Sequence, residues 1–352
     1  MNAEAPMKTN PWLCGFAVLT AFATFLLLGL GGLVTSHEAG MSVPDWPTSY
    51  GYNMFALPIK FWKGGAFFEH THRLLASAVG LMTTVLAVWL WRKDPRPWMR
   101  WLGVAAFLGV VAQGVLGGLR VTLHMDSLGI FHGTIAQMFF VLTCSLALFT
   151  SRFWGGLAAN RPLLRVPSGL RTLVLATTLL VLGQLILGAS MRHQHAGLAI
   201  PDFPLAYGNW WPDTSADAVA GYNAQRVEIN GENPITAFQI ELQMAHRGLA
   251  LAIFILVAAC AWLAWLRLGG RDSLTKLALG WLALVLAQVA LGASTIWFNK
   301  AADVATAHVL VGALALTLGS LWCILAFRRS EPSAAIQPLG AFGAQPFLAA
   351  NK

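Results

Sequence analysis

Charge is what this chain has least of. Of its 352 residues only 11% are charged while 57% are hydrophobic, and the mean hydropathy is +0.62; an ordinary soluble domain carries about 25% charged residues. That excludes a water-soluble fold. Cysteine is scarce too: Cys14, Cys144, Cys260 and Cys323 all fall inside or at the ends of apolar runs, so no disulfide framework is expected. A basic cluster on one soluble face is also missing. The net charge of +8 comes from Lys and Arg placed in alternate loops, which excludes a nucleic-acid surface. The first apolar run is too long for a signal-peptide core and lacks a small-x-small cleavage site, so a retained helix is expected.

What the chain has instead is long apolar runs. Windows of about 18 residues or more, enough to cross roughly 30 Å of hydrocarbon, occur near 12–36, 70–91, 98–120, 129–150, 170–191, 239–266, 274–297 and 305–327. The expected class is an all-α integral membrane protein with eight transmembrane helices. Lys8, the group Arg92 to Arg100, the group Arg152 to Arg171, the group Arg267 to Lys276, and Arg328 with Arg329 mark one side, which the positive-inside rule makes cytoplasmic. Both termini are then inside a cell (inner) membrane. Loops 37–69, 121–128, 192–238 and 298–304 lie outside and hold most of the Asp and Glu. The expected order is a cytoplasmic N-terminus 1–11, a first half 12–150, a cytoplasmic linker 151–169, a second half 170–327 with the long outer loop 192–238, and a disordered cytoplasmic tail 328–352 rich in Pro, Ala and Gly.

The two halves repeat. LGGLVTSHEAGMSVPDWPTSYG (30 to 51) matches LGASMRHQHAGLAIPDFPLAYG (187 to 208) without gaps at an offset of 157, and VAQGVLGGLR (111 to 120) resembles LAQVALGAST (286 to 295) at an offset of 175. Gln184 to Gly188 carries the same Gln-x-x-Leu-Gly element. Each half crosses the membrane an even number of times, so the copies are expected to be parallel four-helix bundles related by an axis along the membrane normal. The growth in offset places an insertion of roughly 17 residues within 209–238, a polar loop expected to fold over the outer face.

Each even-numbered span carries a histidine shortly after it enters the membrane: His72, His132, His246 and His308. At 1.5 Å per residue their levels agree within about one turn. Intramembrane polar groups must be satisfied, and two imidazoles on facing helices of a four-helix bundle are the arrangement that holds a haem iron from both sides. Small residues follow them, Gly133, Gly248 and Gly312 among them, giving clearance for a flat macrocycle. Zinc takes four ligands in a tight tetrahedron, whereas the repeat divides these into two pairs. Proton relays use several acids within the spans, and these hold almost none.

The copies differ at one position. Glu69 stands one turn before His72, in what the apolar window makes the first helical turn, and Gln243 stands at the matching place. That difference makes the first site the reacting one. Helix-dipole stabilisation is the plain alternative for Glu69. Arg73 and Arg247 are candidates for pairing with haem propionates, against simple snorkelling. His70 lies on another face, and His37, His124, His193 and His195 are outer-loop candidates for binding or delivering a metal or haem. The repeated segments around Asp45 and Asp202 read as rigid loops over the bundle ends, and Gln113, Gln184 and Gln288 as interhelical hydrogen bonders.

Glu69-x-x-His72-Arg73, Phe131-His132-Gly133, Ala245-His246-Arg247 and Ala307-His308, set in eight spans of a duplicated unit, resemble the haem A synthases of bacterial and mitochondrial membranes over about residues 12 to 327. The resemblance implies an oxidoreductase that converts haem O to haem A for terminal oxidases, by two successive hydroxylations of one ring methyl that leave a formyl group after loss of water. By position it implies that His72 and His132 hold the iron of the substrate haem O, that His246 and His308 hold that of a retained haem b, and that Glu69 is the essential carboxylate. With both axial positions occupied, oxidation at the ring edge would proceed by electron removal, Glu69 assisting attack on the methyl carbon. Haem O synthase and the terminal-oxidase assembly machinery are the implied partners; lipid surrounds the chain, and an oligomer is compatible with it. Many members carry two cysteines in the first outer loop, and residues 37–69 hold none, so the electron acceptor is unknown. Two other readings use the same residues: a bis-His b-type cytochrome for quinone-linked electron transfer, and a haem transporter or chaperone.

Overall fold

The computed structural model describes residues 10–125, 127–159, 165–226 and 234–329. Ten α-helices run through them: α1 (Pro11–Ser36), α2 (Gly64–Lys93), α3 (Pro97–Thr122), α4 (Leu128–Thr150), α5 (Arg152–Ala159), α6 (Ser168–His193), α7 (Ala216–Gln225), α8 (Ala237–Leu268), α9 (Ser273–Trp297) and α10 (Ala302–Arg328). All but α5 and α7 are long and apolar enough to cross a membrane, which makes this a multi-pass membrane protein. The expectations for residues 1–9 and for the tail beyond Arg329 fall outside the described residues.

Local chemistry sets the helix ends. Pro11 opens α1 behind Asn10, whose side chain accepts from the Trp12 and Leu13 amides. Thr236 and Gln239 form a reciprocal capping box on α8, and Gly269 at φ +85 ends that helix. Within the spans, hydroxyls of Thr24, Thr83, Thr178 and Thr317 bond to carbonyls one turn earlier, so they need no partner from lipid. The two short helices were hidden from a hydropathy reading because neither is a span. The α7 helix lies in the inserted segment and is started by Ser215, whose hydroxyl accepts from the Ala218 amide, with Asp217 in the first turn.

The long helices pack in two rings. One consists of α1 against α2, α2 against α3, α3 against α4 and α4 against α1; the other repeats this with α6, α8, α9 and α10. Between the rings, α1 touches α10, α4 touches α6, and α4 touches α10. Half of the α10 span is buried, against 22% for α3, α6 and α9, so α10 is the central element and the others turn broad apolar faces outward.

On the face carrying the long connections, two loops fold alike. The Asp45 carboxylate accepts from the Tyr50 and Gly51 amides and the Thr48 hydroxyl, and Asp202 accepts from the Tyr207 and Gly208 amides. Tyr50 and Tyr207 both adopt left-handed backbone, followed by Gly51 and Gly208, and each tyrosine hydroxyl donates back to the loop, to the Ser42 and Ala199 carbonyls. An aromatic ring covers each tyrosine: Phe61 over Tyr50 at 5.0 Å, and Tyr222 of α7 over Tyr207 at 3.6 Å. The inserted helix therefore lies on the second loop, and Asn223 ties it to Ile235 through two hydrogen bonds.

Burial alone would raise the Asp45 carboxyl, but the hydrogen bonds from Thr48, Gly51 and Tyr50 and the Arg73 charge outweigh it and hold the group below its ordinary value. Its contribution to stability is then complete above the unfolded value of about 3.9 and fades as pH falls through the lower folded one. Hydrogen exchange at Tyr50 and Gly51 should accordingly show protection that does not vary between about pH 5 and 8, beyond the intrinsic chemistry. Asp45→Ala should speed exchange there by about tenfold or more, since hydrogen bonds to charged groups contribute about 1.5–3 kcal/mol; unchanged rates would contradict the loop account.

Candidate functional site

Every one of the four predicted histidines rests on a glycine of a neighbouring helix. A Cβ added at Gly31 of α1 would stand 3.1 Å from His72 Cε1 on α2; at Gly117 of α3, 3.3 Å from His132 on α4; at Gly188 of α6, 3.3 Å from His246 on α8; and at Gly292 of α9, 3.3 Å from His308 on α10. An added methyl would make each imidazole give by a few tenths of an ångström, and a branched side chain would displace it further. One turn before two of these glycines, Gln113 and Gln184 donate through Nε2 to the His132 and His246 carbonyls at 3.2 and 2.9 Å. The third, Gln288, instead lies against Gly312.

In all four rings Nδ1 is buried while Nε2 is not so enclosed, and the rings of His72, His132 and His308 lie beside the backbone of Leu27, Gln113 and Gln288, each four residues before the glycine beneath the ring. The rings of His246 and His308 are 6.4 Å apart, centroid to centroid, with 60° between their planes. Metal–imidazole bonds of about 2.0–2.1 Å on both sides, plus about 1.1 Å from each nitrogen to its ring centre, give roughly 6.3 Å. The pair thus has the spacing of two axial ligands to one iron. His72 and His132 are electrostatic neighbours of each other and of Arg120. Among the described residues no three His, Cys, Asp or Glu side chains gather as a tetrahedral zinc site requires. Gly133 and Gly248 face open space, as clearance for a macrocycle demands, whereas Gly312 is packed beneath Gln288 and Leu185.

Glu69 sits differently from expectation. The α2 helix starts at Gly64, so Glu69 lies in the second turn, buried, and the helix-terminus reading of it does not hold. The apolar window began too late because Glu69 and His70 interrupt it. Glu69 Oε2 accepts from the Val43 amide at 2.9 Å, and Oε1 from Arg73 Nη2 at 2.6 Å. In the other half, Gln243 Oε1 accepts from the Ile200 amide at 2.7 Å. The acid and its amide counterpart therefore hold equivalent loop amides, and only the acid adds an ion pair.

The arginines expected to meet propionates are directed at the same loops. Arg73 also donates to the carbonyls of Asp45, Thr48 and Val43, and Arg247 to those of Asp202 and Leu205, with its guanidinium over the Phe203 ring. These donors fasten the loops to α2 and α8. His70 is buried edge-on to Trp62, His37 is exposed and stacked on Phe68, His124 and His195 are exposed left-handed turn residues, and His193 lies against Gly129 at the start of α4. Two residues were not singled out from the sequence. Arg120 and Arg192 follow Gly117 and Gly188 by three and four residues, on the faces those glycines turn to His132 and His246. The signal was present in the repeated Leu-Gly element, whose glycines were read as repeat markers and not as floors for imidazoles.

A profile of the family described as cytochrome oxidase assembly protein matches residues 15–319. Among similar proteins, the heme A synthase of Rhizorhabdus wittichii is 27% identical, the match covering 90% of this chain and 94% of that one. That of Symbiobacterium thermophilum is 30% identical over 79% of this chain and 84% of its own, and that of Halalkalibacterium halodurans 30% over 59% and 68%.

Titration of the purified chain with ferric protoporphyrin IX tests the ring spacing. A low-spin bis-imidazole spectrum is expected. Gly188→Val, which drives a branched side chain into His246, should weaken binding at that pair by at least about tenfold, while Gly183→Val, set where an added Cβ meets nothing within 4 Å, should not. Equal binding by both variants would contradict the assignment.

Proposed function

The chain belongs to the cytochrome oxidase assembly protein family, and from that membership we propose that it is a haem A synthase, oxidising a ring methyl of haem O to a formyl group. The observation that carries the reading is the pair of imidazoles spaced for one iron, set in a bundle where all four histidines stand on glycines. His72 and His132 hold the substrate haem O, and His246 and His308 a resident haem b that supplies one-electron chemistry. The halves are parallel copies about an axis along the membrane normal. The loop-rich face is outside and the Arg-rich ends of the helices inside, by the positive-inside count.

Each hydroxylation takes one water and releases two electrons and two protons from the methyl carbon; the second leaves a hydrated aldehyde that loses water. The electrons leave to an acceptor not identified by this chain. Glu69 is the proton acceptor. Each of its oxygens accepts one hydrogen bond, from Val43 and from Arg73, and keeps a second lone pair for an incoming proton, so the reacting acid is tied to the loop that carries Val43. The difference between Glu69 and Gln243 favours the synthase over a plain electron conduit, which would have no use for an acid at one site only. Haem O synthase before it and terminal oxidase after it are the partners this chemistry requires.

Glu69→Gln separates the acid's chemical part from its structural one. Gln243 shows that an amide oxygen holds the equivalent loop amide, so the variant should fold and retain haem. Haems extracted from cells with a haem O source should contain haem A or its hydroxylated precursor for the parent, and a loss of more than about a hundredfold for Glu69→Gln. Haem A formation by that variant would refute the proton-acceptor role. Absence of haem A from the parent would favour the cytochrome or transporter readings.

A further inference from the structure

We propose that Arg192, together with Lys300, is the carboxylate-binding group of the second haem site, the place at which the propionates of the haem between His246 and His308 are held. This rests on the haem reading above and goes beyond it by adding anion partners to Arg73 and Arg247, which also bond to loop carbonyls.

Arg192 lies in the last turn of α6, four residues after Gly188 and so on the same face, one turn nearer the loops than the glycine under His246. Its guanidinium is fixed across the seam between the two rings: Nη2 donates to the Gly32 carbonyl at 2.6 Å and to Ser36 Oγ at 2.5 Å, and Ser36 Oγ lies 3.3 Å from Thr306 Oγ1, two residues before His308. Nε of Arg192 is buried and has no hydrogen-bond partner. The guanidinium is therefore anchored through Nη2 while its Nε–H is left to satisfy, and a carboxylate of a haem held by His246 and His308 would supply that partner.

Lys300 supplies the second charge. It precedes α10 in a left-handed turn held by its own amide on the Thr295 carbonyl at 2.7 Å. From Ala302 to His308 the helix rises about 9 Å, comparable with the reach from a haem iron to its carboxylate edge. Burial, and then the neighbouring Arg192, push the Lys300 ammonium below its ordinary value, with Glu38 opposing them. Arg192 and Lys300 share this half-buried corner with one acid, Glu38, so these three groups keep one positive charge in excess for a further anion, and a haem would bring two carboxylates. The counterparts of these residues in the first half, at the offsets of 157 and 175, are Thr35 and Met125. The pair thus belongs to the second site and is not a property of the fold.

The test uses the full chain carrying His72→Ala and His132→Ala, so that one haem remains, purified after haem-replete growth. Reductive titration and haem content per polypeptide are read together. Arg192→Gln and Lys300→Met should each make the haem harder to reduce, because a cation beside it favours the reduced form. The expected change is about tenfold in the reduction equilibrium, which is about 59 mV downward for one electron. Arg192→Lys, which keeps the charge, should restore most of the shift, and Lys276→Met near the opposite ends of the helices should cause none. Iron mesoporphyrin with both propionates esterified should rebind equally to parent and to Arg192→Gln. A haem whose midpoint and retention are indifferent to Arg192→Gln and Lys300→Met overturns this proposal and leaves the haem reading standing. A background protein that holds no haem at all, when His246 and His308 are intact, overturns the haem reading itself.

Discussion

An imidazole among hydrocarbon is tolerated only where its polar atoms find partners, and this chain places four of them in four of its eight apolar helices. Every one is pressed onto a neighbouring helix at a glycine, with Nδ1 buried against that helix. A neutral imidazole held this way has its second nitrogen, Nε2, left to satisfy, and a metal ion would do so while a main-chain carbonyl takes Nδ1–H. A 6.4 Å separation between the His246 and His308 rings matches an iron bound from both sides. Glycines, glutamines and the packing of α10 all act on that one requirement, by bringing backbones close enough for the rings to be held.

The loop face shows the same economy of parts used twice. Asp45 and Asp202 gather the loop amides, Arg73 and Arg247 take the loop carbonyls, and Glu69 and Gln243 each hold one buried amide. Where the copies diverge, they diverge in charge. The first has an acid bonded to arginine beside its histidine; the second has an amide there, and carries Arg192 and Lys300 where the first has Thr35 and Met125. Such divergence within one scaffold is how a duplicated bundle can hold two similar groups and treat them differently.

The spans and the histidines were legible in the sequence because both report the membrane directly: lipid demands apolar length, and a polar residue inside such a length stands out. The likeness between residues 30–51 and 187–208 likewise survives as a string of identities, and two rings of helices with matching loop hydrogen bonds are what the coordinates show. The partners of Glu69 were not legible. Val43 is 26 residues away, and a bond of that range depends on how the loop returns over the helix, to which hydropathy is blind. The same holds for Arg73, whose many loop acceptors are main-chain carbonyls that carry no residue identity. Helix α7 was missed because its stabilisation comes from one serine cap and a tyrosine stack, and not from an apolar period. The start of α2 was placed late because buried Glu69 and His70 look like a boundary to any scale that counts polarity as exposure.

The claim underlying all of this is that paired imidazoles, one pair in each ring of helices, clasp two separate irons. Electron paramagnetic resonance of the purified ferric protein, loaded with haem b and haem O, addresses it most directly. Two low-spin bis-imidazole signals are expected, one vanishing with His72→Ala and the other with His246→Ala. A high-spin spectrum in the parent, or a single low-spin signal that survives loss of both histidines, would contradict it.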